Sequence, residues 1–76
     1  MRTDEATRLA HMSSQIATFF QAWPEDQAIA AIAGHINQFW APPMRRDFIA
    51  LFGADPAPLH PLTRRALPLI RIPAAR

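Results

Sequence analysis

Cysteine is absent from the 76 residues, and with it disulfides, thiolate-held zinc and ordinary iron–sulfur clusters. Lysine is absent as well, so all 8 basic side chains are arginine. Glycine occurs only at Gly34 and Gly53, which leaves no glycine-rich loop to cradle a phosphate. No apolar run approaches the ~18 residues of a membrane span, and no membrane contact is expected. The opening Met1-Arg2-Thr3-Asp4-Glu5 carries two acids with no apolar core behind them. That is unlike a secretory signal, and the cytoplasm is the expected location.

Arrangements for catalysis are lacking too. Ser13 and Ser14 lie near His11, but neighbours in a helical sequence do not face one another. His11, His35 and His60 stand apart, with no i,i+3 or i,i+4 partner to hold a metal on one helical face. Glu25 and Asp26 sit at a helix start, where the helix dipole accounts for them. No catalytic, cofactor-binding or metal-binding residue is expected in this chain.

What is present fits one small domain. A chain this short buries roughly 60–65% of the surface its unfolded form exposes. One core at this length rarely supplies more than ~3–5 kcal/mol without a staple. With disulfides and thiolate metals excluded, a partner is the staple that remains. Charge is divided along the chain. Residues 1–40 set Arg2 and Arg8 against Asp4, Glu5, Glu25 and Asp26, a net of −2. Residues 41–76 set Arg45, Arg46, Arg64, Arg65, Arg71 and Arg76 against Asp47 and Asp55, a net of +4. Genome composition alone can yield arginine without lysine. Arginine's planar fork also suits carboxylates and carbonyls at an interface.

Apolar spacing predicts three helices. The first runs from about Asp4 to Ala22, with Thr3 or Asp4 as cap and a stripe of Leu9, Met12, Ile16, Phe19, Phe20 and Trp23. Trp23-Pro24 ends it, and the proline suits the first turn of the next helix. The second spans about Pro24 to Phe39 or Trp40, with Ile29, Ile32, Ile36, Phe39 and Trp40 on one side. Its alanines favour helix, and Gly34 reads as a close crossing with the first helix. Ala41-Pro42-Pro43 breaks the chain and opens a third helix bearing Met44, Phe48, Leu51 and Phe52, with Gly53 suited to its C′ position.

Pro56, Pro58 and Pro61 make 54–61 read as a linker. A short fourth helix follows near 61–67, with Leu62, Ala66 and Leu67 on one side and Pro68 as its stop. Leu69 to Arg76 reads as extended or disordered. The expected fold class is all-α: a small three-helix bundle over 1–53, built around Ile16, Phe19, Ile32, Ile36, Phe39, Phe48 and Leu51. A proline-rich basic C-terminal arm with its short helix occupies 54–76, the whole forming a single domain. No repeat or strand-period segment is found.

The junction His35-Ile36-Asn37-Gln38-Phe39-Trp40-Ala41-Pro42-Pro43-Met44-Arg45-Arg46 is the most informative block. Adjacent Phe39 and Trp40 are about 100° apart, so one can enter the core while the other leans outward. Trp40, Met44 and Arg45 are types enriched at interface hot spots. Trp40 can equally anchor the turn by stacking on Pro42 within the core, and His35 suits a core or capping role. Arg45 and Arg46 occupy a first helical turn, where cations are unfavourable by roughly 0.3–1 kcal/mol. Either they are a solvated face, or their benefit comes from carboxylates or carbonyls on a partner. On the second reading, replacing both leaves the isolated fold intact. The candidate partner-binding residues are therefore His35, Trp40, Pro42, Met44, Arg45 and Arg46.

The same residues resemble a known family. Arg8-Leu9-Ala10-His11-Met12, then Gln15-Ile16 and Phe19-Phe20, are similar to the opening of the delta subunit of NAD-dependent formate dehydrogenases. So is Ala31-Ile32-Ala33 leading to His35-Ile36, Phe39-Trp40, Pro42 and Met44-Arg45, with Leu62-Thr63-Arg64-Arg65-Ala66-Leu67 as the closing segment. The likeness covers roughly residues 8 to 67. Doubled Pro42-Pro43 and the prolines from Pro56 to Pro61 depart from it. The resemblance implies a non-catalytic accessory subunit of a cytoplasmic molybdenum- or tungsten-dependent enzyme that oxidises formate to CO2 with reduction of NAD. The molybdenum or tungsten pterin, iron–sulfur clusters, FMN and NAD would belong to partner subunits. The implied role is assembly or stability of the complex, with the catalytic alpha subunit as the implied partner. The competing reading is a small helix-turn-helix-like nucleic-acid-binding module. Against it, the third helix offers only Arg45 and Arg46 beside Asp47, and the total charge of +2 is modest for a phosphate binder.

Overall fold

A computed structural model describes residues 2–72, with side chains from Glu5 to Ile72. The chain forms α1 (Arg2–Phe20), α2 (Glu25–Phe39), α3 (Pro42–Phe52) and α4 (Pro61–Ala66), followed by a 3-10 turn at Leu67–Leu69. Among the described residues there is no strand, and no helix is long and apolar enough to cross a membrane.

The buried line of α1 is Leu9, Ser13 and Ala17, spaced at i, i+4, i+8. Small Ser13 and Ala17 allow close approach of neighbouring helices, and the Ser13 hydroxyl donates to the Ala10 carbonyl at 2.9 Å. The larger Met12, Ile16 and Phe20 flank this line and are only partly covered. Phe19 sits about 160° round the helix from Ala17 and is 74% exposed, contrary to its expected place in the core. The expected caps Thr3 and Asp4 lie outside the described side chains. The helix ends at Phe20, two residues before the predicted stop, and the Trp23 ring folds back edge-on to Phe20 with centroids 4.9 Å apart.

Pro24 is the N-cap of α2, its extended backbone (φ −53°, ψ 144°) turning the chain and its carbonyl accepting from the Ala28 N–H at 2.8 Å. Glu25 and Asp26 fall in the first turn, where the dipole favours them. Ala28, Ile32, Ala33 and Ile36 are buried. Gly34 is not at a crossing: it faces solvent, with nothing within 4 Å of where a Cβ would stand. Trp40 caps the far end in extended conformation, its N–H bonded to the Ile36 carbonyl at 3.0 Å. Ala41 is extended as well, as the following proline requires.

Pro42 and Pro43 open α3, where missing N–H groups cost nothing. Its buried line is Arg45, Phe48 and Phe52. Phe48 lies against Trp40 at 5.3 Å and Phe52 at 5.4 Å, while Leu51, expected in the core, is half-buried. Gly53 closes the helix in right-handed geometry (φ −63°), not the left-handed cap expected of it. Glycine is nonetheless fitting here: an added Cβ would stand 2.6 Å from the Ile49 carbonyl oxygen.

The C-terminal third differs most from expectation. Leu59, Ala66, Leu67 and Ile70 belong to the same core as Leu9, Ile32 and Phe48, so 59–70 is part of the body and not an arm. The prolines punctuate short elements without preventing their burial: Pro61 opens α4, and Pro68 lies inside the 3-10 turn. His60 caps α4, its Nδ1 accepting from the Leu62 N–H at 3.1 Å. The most extensive helix packing in the molecule is α4 on α2. Beyond the 3-10 turn, Ile70 turns into the core, and Asn37 brackets it. The Asn37 side chain donates to the Leu69 carbonyl at 3.1 Å and accepts from the Arg71 N–H at 2.7 Å. Arg45 Nη1 donates to the Arg71 carbonyl at 2.6 Å. The tail expected beyond this point, 73–76, lies outside the described residues.

Candidate functional site

Nothing among the described residues gathers three or more histidine, cysteine or carboxylate side chains into a metal-binding group. His11 is exposed, His60 caps α4, and His35 lies half-buried against the Phe39 ring with centroids 4.8 Å apart.

The six residues singled out in the sequence do not form one patch. Trp40 is only 5% exposed and packs on Phe48. Arg45, 9% exposed, turns inward to hold the Arg71 carbonyl. It is thus part of the fold, which changes what its replacement does: the isolated chain loses a bond when Arg45 is removed. Met44 is half-buried against the core. Pro42 and Arg46 are exposed on α3. His35 and Trp40 alone come together, along one groove.

That groove is the most distinctive surface of the molecule. It runs between α1 and the C-terminal half of α2 and encloses about 420 Å³. Met12, Gln15, Ile16, Phe19 and Phe20 line one side, with His35 and Trp40 on the other. No carboxylate or guanidinium lines it. Phe19 stands at its edge, ring 5.0 Å from Phe20 and perpendicular to it. Phe39, 66% exposed, extends the apolar surface from His35, and Trp23 extends it from Phe20. A single exposed apolar side chain is ordinary; here several aromatic side chains border one groove and make a continuous apolar surface.

Sequence reasoning assigned Phe19 and Phe39 to the core and so missed the two residues that most define this surface. Signals for both were present. Phe19 is in line with Met12, within about 20°, and well away from the small buried residues. At 39–40 the angle between adjacent positions allowed one ring in and one out. Trp40 goes in because it lies past the end of the helix, where extended backbone carries it over Phe48.

The nearest charge is Arg8, whose Nη1 lies 3.6 Å from Met12 Sδ at one end of the groove. Arg65 pairs with Glu25 at 2.7 Å and Arg8 with Glu5 at 2.9 Å, both in solvent. Such exposed pairs are worth little. Two other hollows open on the surface: one of about 200 Å³ by Glu5, Asp47, Ala50 and Leu51, and a larger one of about 540 Å³ between α1 and Phe52–Pro58, with Thr7, His11 and Ser14 and no aromatic ring but Phe52.

No curated protein and no solved structure matches the chain. A family model does, described as NADH-dependant formate dehydrogenase delta subunit FdsD, over residues 8–67. The matched span reaches from the first exposed turn of α1 through both walls of the groove to Leu67 of the shared core, and the chain belongs to this delta-subunit family of NAD-dependent formate dehydrogenase.

Proposed function

We propose that this chain is a non-catalytic accessory subunit that docks, through the α1–α2 groove, onto another subunit of a formate dehydrogenase and supports assembly or stability of that complex. The observation that carries the reading is an uncharged, aromatic-bordered groove on a chain of a delta-subunit family. The side-chain inventory favours a partner over chemistry. The three histidines are dispersed and cysteine is absent; of the two serines near His11, Ser13 donates its hydroxyl to the Ala10 carbonyl, and Ser14 shares a hollow with His11 in which no carboxylate stands to orient the imidazole. On this reading the pterin-bound metal, iron–sulfur clusters, FMN and NAD all reside in partner subunits, in a cytoplasmic complex. The catalytic alpha subunit is the proposed partner. His35 and Trp40 contribute as groove walls.

A nucleic-acid role finds less support. Of the two cations on α3, Arg45 is turned inward, leaving Arg46 beside Asp47 as the exposed cation of that helix. Phosphate binding needs several.

Deleting the chain from the native operon and purifying the enzyme tests the role. Lower yield or cofactor content of the assembled complex is expected, with active-site chemistry intact in whatever assembles. Normal yield, normal cofactor content and normal formate-dependent NADH formation would overturn it.

A further inference from the structure

Met12 is half-buried on α1 and lines the groove, so its thioether borders open space. Arg8, one turn earlier, donates from Nη1 to the Met12 sulfur at 3.6 Å. The same guanidinium donates from Nη2 to Glu5 at 2.9 Å, which fixes it between a carboxylate and a sulfur. A thioether is a weak acceptor and a soft, polarizable nucleophile. Of the two lone pairs on the sulfur, the guanidinium covers one and leaves the other uncovered. Met44 is half-buried too, but it packs against the core and borders none of the three hollows. Met1 lies outside the described residues.

We propose that Met12 is a reversible oxidation site, modified by peroxide while the groove is uncovered, and that its sulfoxide form docks poorly. The uncovered lone pair attacks one peroxide oxygen, and the O–O bond breaks. Sulfur gives up two electrons and keeps that oxygen as the sulfoxide. The second oxygen leaves as water, carrying both peroxide protons. A thiol-dependent methionine sulfoxide reductase reverses the step, returning the oxygen as water while two thiols become a disulfide. The sulfoxide is polar and chiral. Because Arg8 stands over one lone pair, the oxygen is added at the other, and one epimer dominates. The groove wall then carries a strong acceptor beside Ile16 and Phe19. An apolar partner surface laid over it leaves that oxygen without a donor. This inference rests on the docking reading above and adds a regulation to it: the undocked chain is open to oxidation and the docked chain is closed to it.

The test treats the full chain, free and in the assembled complex, with dilute hydrogen peroxide and follows oxygen gain at each methionine by mass spectrometry. In the free chain Met12 should be oxidised well ahead of Met44. Equal rates, or Met44 first, overturn the site. The two epimers are then counted with reductases that each accept one of them. One should dominate in the parent, and Arg8→Ala should bring the two toward equality. An even mixture in the parent overturns the part given to Arg8. For docking, the oxidised chain is freed of peroxide and mixed with the other subunits. It should bind about tenfold more weakly than the parent and recover after reduction. Met12→Leu, a swap that keeps volume, should bind like the parent before and after peroxide. Unchanged binding of the oxidised parent overturns the effect on docking and leaves the docking reading in place. That reading fails by a different result: oxidation of Met12 as fast in the complex as in the free chain. The groove is then uncovered in the complex, and docking through it falls together with its regulation, while the oxidation mapped at Met12 stands.

Discussion

Helix α2 has two apolar sides with opposite fates. One, with Ala28, Ile32, Ala33 and Ile36, is closed by neighbouring helices and by the bracketed segment at Ile70. The other, at His35 and Phe39, is left open beside α1. The two sides differ in cover: α4 and Ile70 lie over the first, and none of the described elements lies over the second. The contrast separates residues that serve the fold from residues available to a partner, and single substitutions should part along the same line.

On the closed side the largest effect is expected from Phe48→Ala. Phe48 is fully buried between Trp40 and Phe52, and its loss should cost about 3–5 kcal/mol. That rivals the whole stability a core of this size commands, so the variant should show no cooperative thermal transition by circular dichroism. A clean melt near that of the parent would break the division. Arg45→Ala should follow, at about 1–3 kcal/mol, because the Arg71 carbonyl loses its donor and a buried stem is removed. Arg46→Ala beside it should stay within about 0.5 kcal/mol. Equal melting temperatures for these two variants would return Arg45 to the surface. Asn37→Ala should cost about 1–2 kcal/mol for its two bonds to the Leu69–Arg71 backbone. Amide exchange should then accelerate at Arg71 before it does so in α1, and uniform acceleration would show that the segment is not a separate unit. The smallest effect on stability is expected on the open side: Phe39→Ser, within about 0.5 kcal/mol in urea titration, while capture of the partner subunits falls. A large loss of stability there would show that Phe39 belongs to the fold.

Much of this arrangement was legible in sequence. Prolines at 24, 42 and 61 placed three helix starts within a residue, because a fixed φ and a missing N–H restrict what can precede and follow them. Delta-subunit membership was readable from the order of Arg8-Leu9-Ala10-His11-Met12, Phe39-Trp40 and Pro42. Side-chain direction was read less well. Large apolar residues were taken as the inner face of α1, whereas the inner face is Leu9, Ser13 and Ala17, whose small members carry little weight in a hydrophobic pattern. Proline density made 54–61 look like a linker and 54–76 like an arm, since composition reports the absence of long helices but not the burial of Leu59, Ala66 and Ile70. Arg45 was misjudged for a related reason. Its unfavourable place in a first turn was noticed, but the carbonyl that rewards it lies 26 positions away, beyond the reach of local pattern. For the candidate site, the sequence singled out His35 and Trp40 on the groove and left out Phe19.

The bracket that Asn37 and Arg45 place on residues 69–71 also bears on the order of folding. Its hydrogen bonds span 32, 34 and 26 positions, whereas the bonds within each helix span four. Closing such long loops carries an entropic cost that local helix formation does not. The helices and the α1–α2 turn should therefore form early, and the bracket should engage last and release first. Until the bracket engages, Ile70 lacks the cover that Asn37 and Arg45 hold in place, while α1 and α4 already close the rest of the inner side of α2.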